Sequence, residues 1–229
     1  MVGSKRVWAP RSRSVTPAKR KKAKTSVPRG ISRRTGTGND VYCRFIYSQE
    51  VALNPGAVGT NANQQFRLSS IFDPDFTGVG HQPVNHDQYA LIYERYQVTS
   101  VKYILYMQPN NAIVCIGGIF ISDAISTSTD PREYIENGQC NWRYLASGEG
   151  VGPVKITGQV ALATVHGINY QQYMSNDDYG ANFGASPVEN AFLTVFAAGV
   201  GSADAGTVGG WIELEYRCKL MGSRVNALS

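Results

Sequence analysis

From Trp211 to Leu220 apolar and charged side chains alternate without interruption. Ile212, Leu214, Tyr216, Cys218 and Leu220 fall on one face, and Glu213, Glu215, Arg217 and Lys219 on the other. A period of two over that length is satisfied by a strand with one face in a core and the other in water. The same period runs from Val41 to Leu53, where Val41, Cys43, Phe45, Tyr47, Val51 and Leu53 oppose Arg44, Ser48 and Glu50. It recurs in Gln97 to Met107, with Lys102 pointing away from Val101, Tyr103, Leu105 and Met107. Val154 to Val165 repeats it, with Val154, Ile156, Val160 and Leu162 against Lys155, Thr157 and Gln159. Ile113 to Ser122 and Asn190 to Val200 are apolar on both faces, as central strands covered twice are. Gln64 to Ile71 and Gln139 to Ala146 complete eight candidates. Strands follow strands with no βαβ alternation, which excludes a doubly wound α/β fold. The expected fold is all-β: a single eight-stranded antiparallel jelly-roll sandwich with short helices in its connections. Periodicity leaves the strand order open.

The connections carry their own signals. Asn54-Pro55-Gly56 and Pro109-Asn110-Asn111 read as turns, and Asp73-Pro74-Asp75 through Gly78, Gly80 and Pro83 as a structured loop. Asn85 with Gln88, followed by Tyr89, Ile92, Tyr93 and Tyr96 at helical spacing, predicts a helix. A second is predicted from the Asp130 cap, Pro131, Glu133 and the Gly138 stop. Gly117-Gly118 inside a strand predicts a bulge or a close backbone approach. His166 to Pro187 reads as a long polar loop carrying Tyr170, Tyr173, Tyr179 and Phe183. Those rings either cover strand ends or meet another subunit. The interface reading is preferred, because tyrosine joins an apolar body to a polar tip.

Ahead of the first strand the composition changes. Lys5, Arg6, Arg11, Arg13, Lys19, Arg20, Lys21, Lys22, Lys24, Arg29, Arg33 and Arg34 are twelve cations with no acid before Asp40. The stretch is otherwise Ser, Thr, Pro and Gly with a single Trp8, too little apolar surface to offset its ordering entropy. Residues 1–39 are therefore expected to be a disordered basic arm, and residues 40–229 one domain. That body has ten basic and seventeen acidic residues, a net −7, so the chain's +5 conceals a cationic tail on an anionic domain. Such a division points to a polyanionic partner held by the tail, and nucleic acid is the leading candidate. Within the arm, Pro17 to Lys24 also has the form of a nuclear import signal, with Lys19, Arg20, Lys21, Lys22 and Lys24 as its charges. Both roles fit one segment.

Several function classes are disfavoured. Cys43, Cys115, Cys140 and Cys218 show no C-x-x-C spacing and are too sparse for a disulfide framework, so reduced thiols are expected. With no apolar leader, no spanning segment and no N-x-[ST] sequon, neither secretion nor membrane insertion is expected. His81, His86 and His166 include no pair separated by one residue, and no phosphate-binding G-x-x-x-x-G-K-[ST] occurs. With no visible nucleophile and base, an enzyme is not expected. Asp73, Asp75, His81, His86 and Asp87 could be metal ligands. The preferred reading is that the two aspartates bond their own loop, Asp87 complements a helix start and the histidines pack, so neither metal nor cofactor is expected. Asp177-Asp178 is a weaker calcium candidate.

The run FRLSSIFDPDFTGVGHQPVNHDQYALIYERYQVTSV, Phe66 to Val101, resembles capsid proteins of small circular single-stranded DNA viruses of the circovirus-like kind. Asp75, Gly78, Gly80, His81, Gln82 and Pro83 match a phrase PDxTGxGHQP. Asp87 and Gln88 match the acidic-Gln pair after it, and Tyr93, Arg95 and Tyr96 the Tyr-x-Arg-Tyr before a strand. The departure is Ile92-Tyr93-Glu94 where Leu-Tyr and a less charged neighbour are usual. The close match covers about 40 residues, and the layout of arm plus strands covers the chain. The resemblance implies a jelly roll, a T=1 icosahedral shell of about sixty self-assembled copies, and an interior arm binding a single-stranded DNA genome. The implied locations are the virion and, through the host import machinery, the host nucleus; the resemblance names no host receptor. The rival class is a nuclear nucleic-acid-binding or chaperone module with a β-sandwich body and no shell. It accounts for the arm equally well but leaves Phe66 to Val101 unexplained.

Overall fold

The computed structural model describes residues 40–56, 59–110, 114–146, 151–200 and 206–223. The twelve arm cations, with the import stretch Lys19 to Lys24, lie outside them. Among the described residues the chain forms β1 (Val41–Leu53), β2 (Asn61–Arg67), α1 (His86–Ala90), β3 (Tyr93–Pro109), β4 (Cys115–Ser122), α2 (Pro131–Glu136) and β5 (Cys140–Leu145). There follow β6 (Val154–Ala161), α3 (Leu162–Val165), α4 (Tyr170–Ser175), a 3-10 turn at Asp177–Tyr179, β7 (Gly180–Asn182), β8 (Phe192–Gly199) and β9 (Val208–Ser223).

Every strand pairing is antiparallel, and the pairings obey one rule. Leaving aside the three-residue β7, the first strand pairs with the last (β1 with β9), the second with the second-last (β2 with β8), then β3 with β6 and β4 with β5. A chain folded in half at β4–β5 and zipped to its ends gives this ribbon. Wrapping it places β9 beside β3 and β8 beside β4, so two sheets result, β1-β9-β3-β6 and β2-β8-β4-β5. That is the jelly roll, with the expected eight strands and the order that periodicity left open.

The inward residues of both sheets meet in one core, including Phe45, Tyr47, Val101, Leu105, Ile119, Val195, Leu214 and Tyr216. The β2-β8-β4-β5 sheet is also covered on its outer face, which explains why β8 is apolar on both sides. Phe120, Phe196 and Tyr134 of α2 form a second cluster there, with ring centroids 5.0 and 5.1 Å apart. The Asn61 side-chain amide donates to the Ser128 carbonyl at 3.1 Å, binding that cover down. Gly117 and Gly118 are a close approach without a bulge: register with β5 and β8 is continuous, and a Cβ on Gly118 would lie 2.7 Å from the Asn141 carbonyl oxygen. The irregularity falls in β3 instead, between Val98 and Ser100.

Three expectations are corrected. The first helix is five residues long, and its Asn85 cap sits at φ 69° with no side-chain capping bond. Tyr93 and Tyr96 belong to β3, because pairing with β9 and β7 outweighs a local helical spacing. The strand expected to Val165 ends at Ala161 and turns into α3, and the segment read as loop holds α4 and β7. None of the four cysteines is in a disulfide. Cys43 and Cys218 face each other across β1 and β9, and burial pushes the Cys43 thiol up to about 12.

Candidate functional site

Part of the Phe66 to Val101 phrase, from Asp75 to His81, gathers around one buried carboxylate. Asp73-Pro74-Asp75-Phe76 doubles back along the end of β2, with Arg67 N–H donating to the Pro74 carbonyl at 2.7 Å and Phe76 N–H to Gln65 at 3.0 Å. This places the fully buried Asp75 between β1 and β2. One oxygen accepts from Thr77 N–H at 2.9 Å and its hydroxyl at 2.8 Å. The other accepts from the amides of Gln49 at 2.5 Å and Gln64 at 3.3 Å. The Tyr47 hydroxyl donates to Gln49, and His81 stacks on the Tyr47 ring at 4.7 Å. Burial, with Asp75 adding to it, raises the Tyr47 phenol, so it stays a donor. Gly78 supplies φ 75°, and a Cβ at Gly80 would lie 2.7 Å from both Asp75 Cβ and the Tyr47 oxygen. Beside the hub Arg67 pairs with Asp73 at 2.7 Å and lies 4.8 Å from the centre of the Phe76 ring.

The five metal candidates are thus dispersed among structural roles, and no group of three or more ligating side chains able to hold a metal occurs among the described residues. His86 is buried between Phe72 and Phe183, with Nδ1 3.0 Å from Asp87. Asp177 pairs with Arg95 at 2.9 Å, which gives that arginine an ion-pair role.

Of the four aromatic residues expected at a subunit interface, three turn inward. Tyr173 is fully buried, its hydroxyl donating to the Val98 carbonyl at 2.7 Å while Gln97 donates to the Tyr173 carbonyl at 2.7 Å. Tyr179 stacks on Tyr173 at 4.7 Å, and Phe183 lies 5.5 Å from Tyr96. These rings cover strand ends. Tyr170 is 52% exposed, and partial burial, with the neighbouring Tyr42 adding to it, raises its phenol. The sequence signal for α4 was present in Asn169-x-x-Gln172, which forms a full capping box.

His166 packs against Tyr179 and Tyr173, and its buried Nε2 has no hydrogen-bond partner. Burial pushes its pKa below the ordinary value, against smaller opposing effects of Asp123 and Glu189. The unfolded chain then binds the proton first, so His166 lowers stability as pH falls below about 6.5 and through its folded pKa. We expect the urea midpoint to fall between pH 7 and pH 5, and His166→Phe to flatten that fall. An unchanged pH slope in the variant would show that His166 is not responsible.

Outer residues of the β1-β9-β3-β6 sheet form the other notable surface. Trp211, 50% exposed, pairs directly with Tyr106, 39% exposed, and the Lys155 ammonium lies 5.3 Å from the centre of the Tyr106 ring. A shallow groove of about 300 Å³ runs between them over Gly209 and Gly210. Near the start of β1 the charges are paired, Lys219 with Asp40 at 2.9 Å and Arg44 with Glu215 at 3.3 Å.

No family model matches the chain, and no curated protein does. Among solved structures it is similar to turnip yellow mosaic virus at 12% identity and TM-score 0.44, over 95% of this chain and 94% of that one. It is similar to mud crab tombus-like virus at 11% and TM-score 0.47, over 85% and 96%. A particle of the Macrobrachium rosenbergii nodavirus gives 10% and 0.43, over 80% and 96%. The fold of this chain stands on its own strand pairing.

Proposed function

We propose that this chain is a viral capsid protein, whose jelly-roll body self-assembles into an icosahedral shell and whose basic arm holds a single-stranded genome inside it. The observation that carries the reading is the attachment of a twelve-cation arm to the first strand of an acidic jelly roll. In a closed shell of about sixty copies the arms would gather on the order of 700 positive charges, enough for a strand of roughly a kilobase. Lysine and arginine contacts to phosphate are independent of sequence, which suits packaging. The phrase shared with circovirus-like capsids favours DNA as cargo and nuclear import through Lys19 to Lys24. The reading gives the protein no enzymatic role.

Electron microscopy of the purified full chain, with the 260/280 nm absorbance ratio taken on the same fraction, tests this. Uniform closed particles carrying nucleic acid are expected. A small monodisperse species that binds nucleic acid only in low salt would replace the proposal with the nuclear binding module.

A further inference from the structure

The body's charge is unevenly distributed. Of the ten cations from residue 40 onward, Arg44, Lys102, Lys155, Arg217 and Lys219 lie on the outer face of the β1-β9-β3-β6 sheet. Of the seventeen acids, that face carries Glu50, Glu213 and Glu215, with Asp40 at its margin. The face is therefore near +1, and the other described residues of the body, with four cations and eleven acids, are −7. A polyanion approaching this domain finds its weakest repulsion here. The arm joins the same sheet at Val41. Its covalent reach, at most about 130 Å, exceeds the roughly 30 Å along β1 to the row of Trp211.

The aromatic residues decide what the face can hold. Trp211 and Tyr106 are adjacent, half-exposed rings beside a groove floored by glycine backbone, and Lys155 stands over one of them. Gly209, the outward glycine of the pair, brings no side chain to the floor, where a Cβ would come 3.4 Å from the Asn110 side-chain oxygen. Flat rings with one lysine ammonium at their edge and a second, Lys102, four residues from Tyr106 along the same strand are chemistry that receives bases and phosphates of a single strand. We propose that Trp211 and Tyr106 form a stacking site for unpaired bases, with Lys155 and Lys102 on the flanking phosphates. The inference rests on the packaging role above and extends it from the arm to the body.

Its signature is base dependence, because arm contacts to phosphate are blind to the base. The full chain is titrated with fluorescein-labelled oligo-dT and with an abasic strand of the same length. The wild type is expected to prefer oligo-dT by about fivefold or more, the effect of stacking one base on an aromatic ring. Trp211→Ala should bring the ratio to about one with an unchanged salt slope, and Tyr106→Ala should reduce it. Lys155→Gln should lower the salt slope by about 0.7. Trp8→Ala in the arm and Tyr144→Ala on the opposite sheet should keep the wild-type ratio. A Trp211→Ala ratio within twofold of wild type, or an equal loss in Trp8→Ala, overturns the site. Lost assembly with the ratio intact would overturn it by assigning the face to a second copy. If the wild type forms no particle, the capsid reading fails while the ratio still decides this one.

Discussion

Asp75→Ala is expected to destabilise the body by about 2–4 kcal/mol, the cost of taking the acceptor away from four donors at once. Its carboxylate gathers donors from three places: Gln49 on β1, Gln64 on β2 and Thr77 in the loop. Removing it leaves two half-buried amides, and the N–H and hydroxyl of the exposed Thr77, without their acceptor, and the amides carry most of the penalty. At about 2–4 °C per kcal/mol for a domain of this size, the melting temperature should drop by roughly 10 °C. Asp75→Asn should be intermediate, since an amide nitrogen then faces donors. Gly80→Ala should also destabilise, because its methyl group would press on Asp75 and Tyr47. A loss below about 1 kcal/mol for Asp75→Ala, read from urea midpoints with unchanged m, would show that the loop reorganises around the vacancy.

The hub illustrates what a sequence conveys and what it withholds. The loop character of Asp73 to Pro83 is legible from its Pro, Gly and Asp content, as is the bonding of Asp75 to its own loop, seen in Thr77. The partnership with Gln49 is not legible, because it spans 26 residues and depends on which strands become neighbours. Four of the eight long strands, β1, β3, β6 and β9, were visible because a half-buried strand imprints a period of two on the residues themselves, while β4 and β8 showed as apolar runs. Their order was hidden because many wrappings satisfy the same alternation, and only the zipped pairing of β1 with β9 through β4 with β5 selects one. Tyr89 to Tyr96 misled because four aromatic and aliphatic side chains fit a helical spacing by chance of composition. Backbone pairing with β9 and β7 decided the matter.

The aromatic residues divide in a similar way. Tyr173, Tyr179 and Phe183 had the right chemistry for an interface, but they are placed where α4 and β7 close over the end of β3. Trp211 drew no attention in the sequence, since it opens a strand whose inward residues dominate the pattern. Its position on the solvent side, opposite Tyr106, follows from the β3–β9 register alone.

Removal of residues 1–39 is expected to abolish packaging while leaving the body folded. The core and hydrogen bonds described above lie between Asp40 and Ser223, so the unfolding free energy of the truncated chain, read from urea titration, should match the full chain within about 1 kcal/mol. Nucleic-acid affinity should behave differently. Each phosphate neutralised on a single strand contributes about 0.7 to the salt slope, so twelve engaged cations give a slope near 8, and the face around Lys102 and Lys155 adds only about 1–2. Losing the arm should therefore lower affinity by three orders of magnitude or more at low salt and collapse the slope to that small remainder. The remaining body is net −7, which opposes non-specific capture elsewhere on its surface. Closed particles with a protein-like 260/280 ratio would assign packaging to the arm and assembly to the body. Particles that stay filled would confine the arm to import through Lys19 to Lys24 and move genome binding to the sheet. A truncated chain that fails to fold would show that the arm contributes to the body's stability, contrary to the division its charge suggests.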